Sequence, residues 1–259
     1  MSRYSKIIEL VFFWNYQKGD SVVHFDREDL IKAAAELKLN VPKNVGDIVY
    51  SFRYRKSLPL KISERAPKGQ QWIISGLGIG KYAFRLTRES KIEPDRSLIQ
   101  IKIPDATPEI VNAYALSDEQ ALLAKLRYNK LIDLFLRISA YSLQSHLRTT
   151  VKGVGQVEID EIYVGVSQNG SQYIIPVQAK GGNDSLSIVQ SQQDYECCIQ
   201  KFPRLHCRAV SAQFLEDEVI ALFELQAQDG DLRKVQERHY RLVASDAISE
   251  EDLKTYSEL

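Results

Sequence analysis

The feature that most constrains this chain is a pair of strand-like runs, Val157–Val166 and Gln172–Lys180, joined by a short polar turn that contains Asn169-Gly170. Apolar residues occupy both parities of the two runs, with Ile162, Val164 and Ile174 beside Val157, Ile175 and Val177. That composition fits strands covered on both faces, which places the hairpin inside a layered domain of sheet and helices.

The hairpin's register decides its chemistry, because opposed residues of an antiparallel pair share a face and a one-residue slip moves every side chain across the sheet. A two-residue Asn169-Gly170 turn sets Asp160 opposite Ala179 and Ile159 opposite Lys180. An odd loop, Gln168–Gly170 with Gly170 in the left-handed region, sets Asp160 opposite Gln178 and Glu158 opposite Lys180. Only the odd loop gathers Val157 and Ile159 with Ile175, Val177 and Ala179, so it is the expected register. The other face then brings Glu158, Asp160, Gln178 and Lys180 to one end of the hairpin. Charges on an otherwise apolar pair are expensive unless they are used, which argues for a site rather than a solvated face. Carboxylates for Mg²⁺ and an ammonium beside the attacking water are what metal-dependent phosphodiester hydrolysis requires.

Elsewhere the hydrophobic period marks out the organisation. Ile7, Ile8, Val11 and Phe12 recur at helical spacing, and Asp26 caps a second helix through Leu30, Ile31, Ala34 and Leu37. A third helix follows Pro42 with Val45, Ile48, Val49 and Phe52 on one side. Short strands at Trp72–Ser75 and Tyr82–Leu86 then flank Gly76, Gly78 and Gly80. Three helices and a hairpin outline a winged helix over residues 1–90. Residues 91–116 are polar, with Pro94, Pro104 and Pro108, and are expected to be a linker carrying one short strand at Leu98–Ile103. Residues 117–259 form the second expected domain. Ser117 and Gln120 make a capping box that opens a long helix through Leu122, Leu126, Leu131 and Phe135. After a β-rich run at Leu147–Val151 and the hairpin come a helix over about 184–200 and strands near 205–214, 219–225 and 235–243.

Asp160 on one strand and Gln178-Ala179-Lys180 on the next resemble the PD-(D/E)XK nuclease superfamily, the restriction-endonuclease-like fold. The order of helix, three strands, helix and strand between Ser117 and Phe214 is similar to that family's core. The implied class is α/β (α+β), a mixed sheet flanked by helices behind an N-terminal winged helix. By the resemblance, the catalytic residues are Asp160, Gln178 and Lys180: Asp160 is the bridging metal ligand, Lys180 orients the water, and Gln178 fills the second ligand position. Gln178 replaces an acidic residue, so it offers a neutral carbonyl, and Glu158 or Glu119 would supply the missing charge. The Pro that usually precedes the Asp is absent. The implied cofactor is Mg²⁺, with Mn²⁺ as a substitute. The implied activity is a Mg²⁺-dependent DNA endonuclease, a prokaryotic restriction or defence hydrolase. The alternative is a non-catalytic DNA-binding regulator or structural subunit on a degenerate nuclease fold.

Charge supports a nucleic-acid partner only locally. Thirty-four basic residues cancel thirty-four acidic ones, yet Val41–Lys91 holds eleven Lys or Arg against three Asp or Glu. Lys43 and Asn44 start the third helix, Arg53, Arg55 and Lys56 end it, and Lys81 and Arg85 lie on the N-terminal hairpin. These are the expected contacts to double-stranded DNA, by base edges from the helix and phosphates from the hairpin. Gln190, Gln192 and Gln193 after the hairpin, and His146 and Arg148 before it, fit a place near substrate and fit solvated surface equally. A homodimer is expected of an enzyme that cuts both strands at one site. Three cysteines without metal-ligand spacing and no apolar run near 20 residues point to a cytoplasmic protein with no membrane contact.

Overall fold

The structure is a computed structural model that describes residues 2–88, 91–114, 119–181, 184, 186–228 and 231–258. Ser117, and with it the expected capping box, lies outside the described residues. The chain is mixed α+β and divides into two compact units. The first holds Met1–Ser90 with Thr149–Val157 and Ser187–Gln193; the second holds Lys91–Arg148, Glu158–Leu186 and Asp194–Leu259.

The first unit opens with α1 (Arg3–Asn15), whose N-terminus is capped by the Ser2 hydroxyl accepting from the Ser5 N–H. Then follow β1 (Val22–Asp26), α2 (Arg27–Glu36), α3 (Gly46–Tyr54), the single turn α4 (Leu60–Ser63), β2 (Gln71–Gly76) and β3 (Lys81–Thr87). Asp26 and Asp29 form a reciprocal capping box at the start of α2. The three strands are antiparallel in the order β1-β3-β2. β1 has no clear sequence signal, because five residues alternating exposed and buried become a strand only by pairing with β3. Phe12 sits at the centre of the core, edge-on to both Trp72 and Phe84 at ring distances of 5.2 and 5.0 Å.

Continuing along the chain are β4 (Lys91–Ile92), β5 (Gln100–Pro104), α5 (Glu109–Tyr114), α6 (Glu119–Tyr128), α7 (Leu131–Leu136), β6 (Ser139–Val151), β7 (Gly155–Val166) and β8 (Gln172–Lys180). Next come β9 (Leu186–Ser187), α8 (Ile188–Lys201), β10 (His206–Cys207), β11 (Ala209–Phe214), β12 (Val219–Gln228), β13 (Asp231–Val243) and α9 (Glu250–Tyr256). Among the described residues the main sheet is eight-stranded and mixed, in the order β5-β13-β12-β11-β8-β7-β6 with the short β10 beside β8. β11 runs parallel to β8, a connection that needs a crossover, and α8 lies between them in the chain. Leu122, Leu123 and Leu126 of α6 and Leu131, Ile132 and Phe135 of α7 form one core with Tyr163, Ile175, Val177, Val210, Ala212, Ile220 and Leu222 of the sheet.

Two expectations about this unit need correction. The described residues 91–114 are more than a linker: the expected short strand, at Gln100–Pro104, pairs in parallel with His239–Val243, and Ile101 and Ile103 pack against the core. The buried Asn129 fixes the chain just beyond, accepting from the Ala106 N–H at 2.7 Å and donating to the Thr107 hydroxyl at 2.9 Å. The long helix through Phe135 is in fact two helices, because Lys130 takes a left-handed φ of 52° between α6 and α7. Among the described residues no helix is long and apolar enough to cross a membrane.

Candidate active site

The turn between β7 and β8 is the odd loop. The Ser167 N–H donates to the Ser171 carbonyl at 3.0 Å, the Gly170 N–H donates to the Ser167 carbonyl at 2.9 Å, and Gly170 takes φ 81°. Pairing runs from Val166↔Gln172 to Glu161↔Val177, and its continuation sets Asp160 level with Gln178. Glu161 opposes Val177 and therefore points into the core, where the Arg127 Nε donates to its carboxylate at 2.8 Å and the Ser142 hydroxyl donates as well. Asp160 and Gln178 share the opposite face.

Where the ladder stops, a side chain takes over from a carbonyl: the Ala179 N–H donates to the Asp160 Oδ2 at 2.9 Å. One residue on, the Lys180 ammonium donates to the Glu119 Oε1 at 2.7 Å from the first turn of α6. Burial pulls the Lys180 pKa down, but the Glu119 hydrogen bond and the charge of Asp160 outweigh it, so the group is raised and stays cationic. Burial raises the Asp160 pKa by more than the Ala179 N–H and the Lys180 charge lower it. A carboxyl held in that state gains from any cation brought to it. Glu119 and His146 also act on Asp160, and the His146 Nε2 lies 2.8 Å from the Gln120 Nε2. Gln178 is fully buried, level with the equally buried Ser211 on β11.

Glu158 does not join them. It lies beyond the end of the ladder, exposed, and pairs with Arg148 at 2.9 Å. Asp194 on α8 was not anticipated. Its side chain is 2% exposed, its Oδ1 has no hydrogen-bond partner among the described residues, and burial raises its pKa well above the ordinary carboxylate value. Asp160 and Lys180 are the charges that act on it. A usable signal lay in its spacing, three and four residues before Cys197 and Cys198, which puts all three on one buried helix face.

Among the described residues no three His, Cys, Asp or Glu side chains gather to hold a metal by themselves. Mg²⁺ asks for less: it keeps several waters and takes one or two carboxylates together with substrate phosphate. Asp160, one neighbouring carboxylate and the Gln178 carbonyl fit that demand.

In the first unit, Lys43, Arg55, Lys56 and Lys81 are exposed and Arg85 is half-buried. Asn44 is exposed but engaged locally, accepting from the Gly46 N–H at 3.2 Å and donating to Asp47 at 2.8 Å. Arg53 departs from expectation. Its Nε and Nη2 are buried and it lies beside Gly76, where a Cβ would come 3.5 Å from the Nη1. Next to it, the Tyr54 hydroxyl donates to the Oε1 of the buried Gln193 at 2.8 Å. Comparison of the chain with family models, with curated proteins and with solved structures finds no match.

Proposed function

We propose that this chain is a Mg²⁺-dependent DNA endonuclease of the PD-(D/E)XK kind, a cytoplasmic prokaryotic restriction or defence enzyme that acts as a homodimer on double-stranded DNA. The observation that carries the reading is Asp160, held by the Ala179 N–H at the end of the hairpin ladder, one residue from the cationic Lys180. The order α6, α7, β6, β7, β8, α8, β11, with β11 parallel to β8, supports it, and so does the antiparallel β1-β3-β2 sheet behind α3, which is read as a winged helix. Asp160 and the Gln178 carbonyl would hold the ion. A bound Mg²⁺ supplies an acidic water and neutralises charge on the scissile phosphate.

The chain's own groups do the rest. Lys180 presents its ammonium to the attacking water and to the phosphoryl oxygens, and Glu119 fixes where that ammonium stands. Lys43, Arg55, Lys56 and Lys81 hold the duplex. A second reading, a DNA-binding regulator without catalysis, is favoured by the neutral Gln178 and by the absence of a three-ligand cluster among the described residues. Incubation with supercoiled plasmid decides between them. Nicking or linearisation with Mg²⁺ that stops in EDTA supports the nuclease, whereas binding without cleavage in Mg²⁺ and in Mn²⁺ supports the regulator.

A further inference from the structure

Resting on the nuclease reading, we infer that Asp194 is the second acidic ligand of the metal site, supplied by helix α8 in place of the carboxylate that Gln178 lacks. Elimination comes first. Glu158 is committed to Arg148 at the surface, Glu119 to Lys180, and Glu161 to Arg127 in the core. Asp184 acts on Lys180 but is exposed, whereas Asp194 is buried and is acted on by the charges of both Asp160 and Lys180.

The second argument is the state of the side chain. Asp194 is 2% exposed and its Oδ1 has no partner among the described residues. A buried carboxyl oxygen without a partner is costly, and an ion or ordered water can complete its coordination. The charge of Lys180 favours the ionised form of Asp194, but burial and the charge of Asp160 outweigh it. A divalent cation beside Asp160 would satisfy both carboxyls at once, and two carboxylates are the complement that Mg²⁺ commonly takes. Gln178 can then be neutral without loss, since its carbonyl serves a site whose charge comes from the helix.

The test is Mn²⁺ binding to the full chain by calorimetry, without DNA, for wild type, Asp160→Asn, Asp194→Asn, and Asp194→Asn combined with Gln178→Glu. Thermal melting of each is measured with and without metal. The expected result is a loss of at least about tenfold in affinity for Asp194→Asn and recovery in the double variant, which returns the charge through the strand. Without metal, Asp194→Asn should melt no lower than wild type, because it removes a buried carboxyl whose ionised form burial and the charge of Asp160 both disfavour. Added Mn²⁺ should raise the melting temperature of wild type and leave Asp194→Asn almost unmoved. Wild-type affinity in Asp194→Asn with loss in Asp160→Asn would overturn the role of Asp194 and leave the nuclease reading standing. Absence of Mn²⁺ binding in wild type, together with no cleavage, would overturn both.

Discussion

The Asp160 carboxylate accepts the Ala179 N–H at 2.9 Å, at the point where the β7–β8 ladder would otherwise place a backbone carbonyl. An aspartate that completes the end of an interior ladder is fixed in orientation by the fold itself. Catalysis should therefore depend on this one side chain with little effect on the rest of the sheet. Asp160→Asn keeps a hydrogen-bond acceptor but removes the charge, and it should lower plasmid cleavage by about a hundredfold or more while leaving the melting temperature near that of wild type. Lys180→Ala should lower the single-turnover rate without changing DNA affinity. Full cleavage by both purified variants defeats the nuclease assignment.

DNA affinity should reside in the exposed cations of the first unit. Replacing Arg55 and Lys56 together by Ala should weaken duplex binding and reduce the slope of log affinity against log salt by up to about two phosphate equivalents. Arg53→Ala should behave differently. Its guanidinium is half-buried beside Gly76, so the substitution should lower the melting temperature and leave the salt slope alone. Fluorescence anisotropy between low and physiological salt separates the two behaviours, and a salt slope lost on Arg53→Ala alone would reverse the assignment.

What was legible in the sequence follows from which interactions are local. The β7–β8 register could be read because Val157, Ile159, Ile175 and Val177 decide the faces, and a five-residue neighbourhood around Gly170 decides the loop. The pairing of Gln100–Pro104 with His239–Val243 could not, because partners about 140 residues apart in the chain leave no local pattern. The partner of Glu158 was hidden for a related reason. Alternation put it on the Asp160 face, but the ladder ends before it and solvent and Arg148 claim it instead. Asp194 stayed hidden among glutamines until α8 was seen to bury the face that carries Cys197 and Cys198.

A buried ion pair in the main sheet gives a stability prediction with a pH signature. Arg208 holds Glu224 in a two-pronged grip, Nε to Oε1 at 2.7 Å and Nη2 to Oε2 at 2.9 Å, and its Nη1 donates to the Leu136 carbonyl at 3.1 Å. Burial pushes the Glu224 carboxyl up, but the bonds from Arg208 and Gln226 outweigh it, so its pKa is lowered from 4.5. The stabilisation is thus present above the unfolded carboxylate range and is lost as pH falls through the lower folded value. Arg208→Met leaves Glu224 buried without its cation and should cost ~3–5 kcal/mol at pH 7 by urea unfolding. The deficit should shrink toward pH 4, where the stranded carboxyl takes up a proton. A deficit that is constant with pH would show that Arg208 acts by packing on Tyr173, whose ring centre lies 5.6 Å away, rather than by charge.

The last prediction concerns a close backbone approach in the first unit. A Cβ placed on Gly76 would stand 2.6 Å from the Val154 carbonyl oxygen, a contact that no rotation of a side chain relieves because both partners are main chain. Gly76 is thus required at the end of β2 by the segment Thr149–Val157 that packs there within the same unit. Gly76→Ala must either shift β2 against β3 or displace that segment, at an overpacking cost of about 1–3 kcal/mol. Displacement is the softer response, because Val151–Gly155 forms a turn held by the Val154 N–H donating to the Val151 carbonyl at 3.2 Å. Trypsin should therefore cut the variant after Lys152 severalfold faster than wild type, with a melting temperature lower by several degrees. Ile79→Ala, at the exposed tip of the β2–β3 turn, serves as the control and should change neither. Equal cleavage of Gly76→Ala and wild type at Lys152 would mean that the strain is taken up by β2 instead, and that the Val154 contact does not hold the segment.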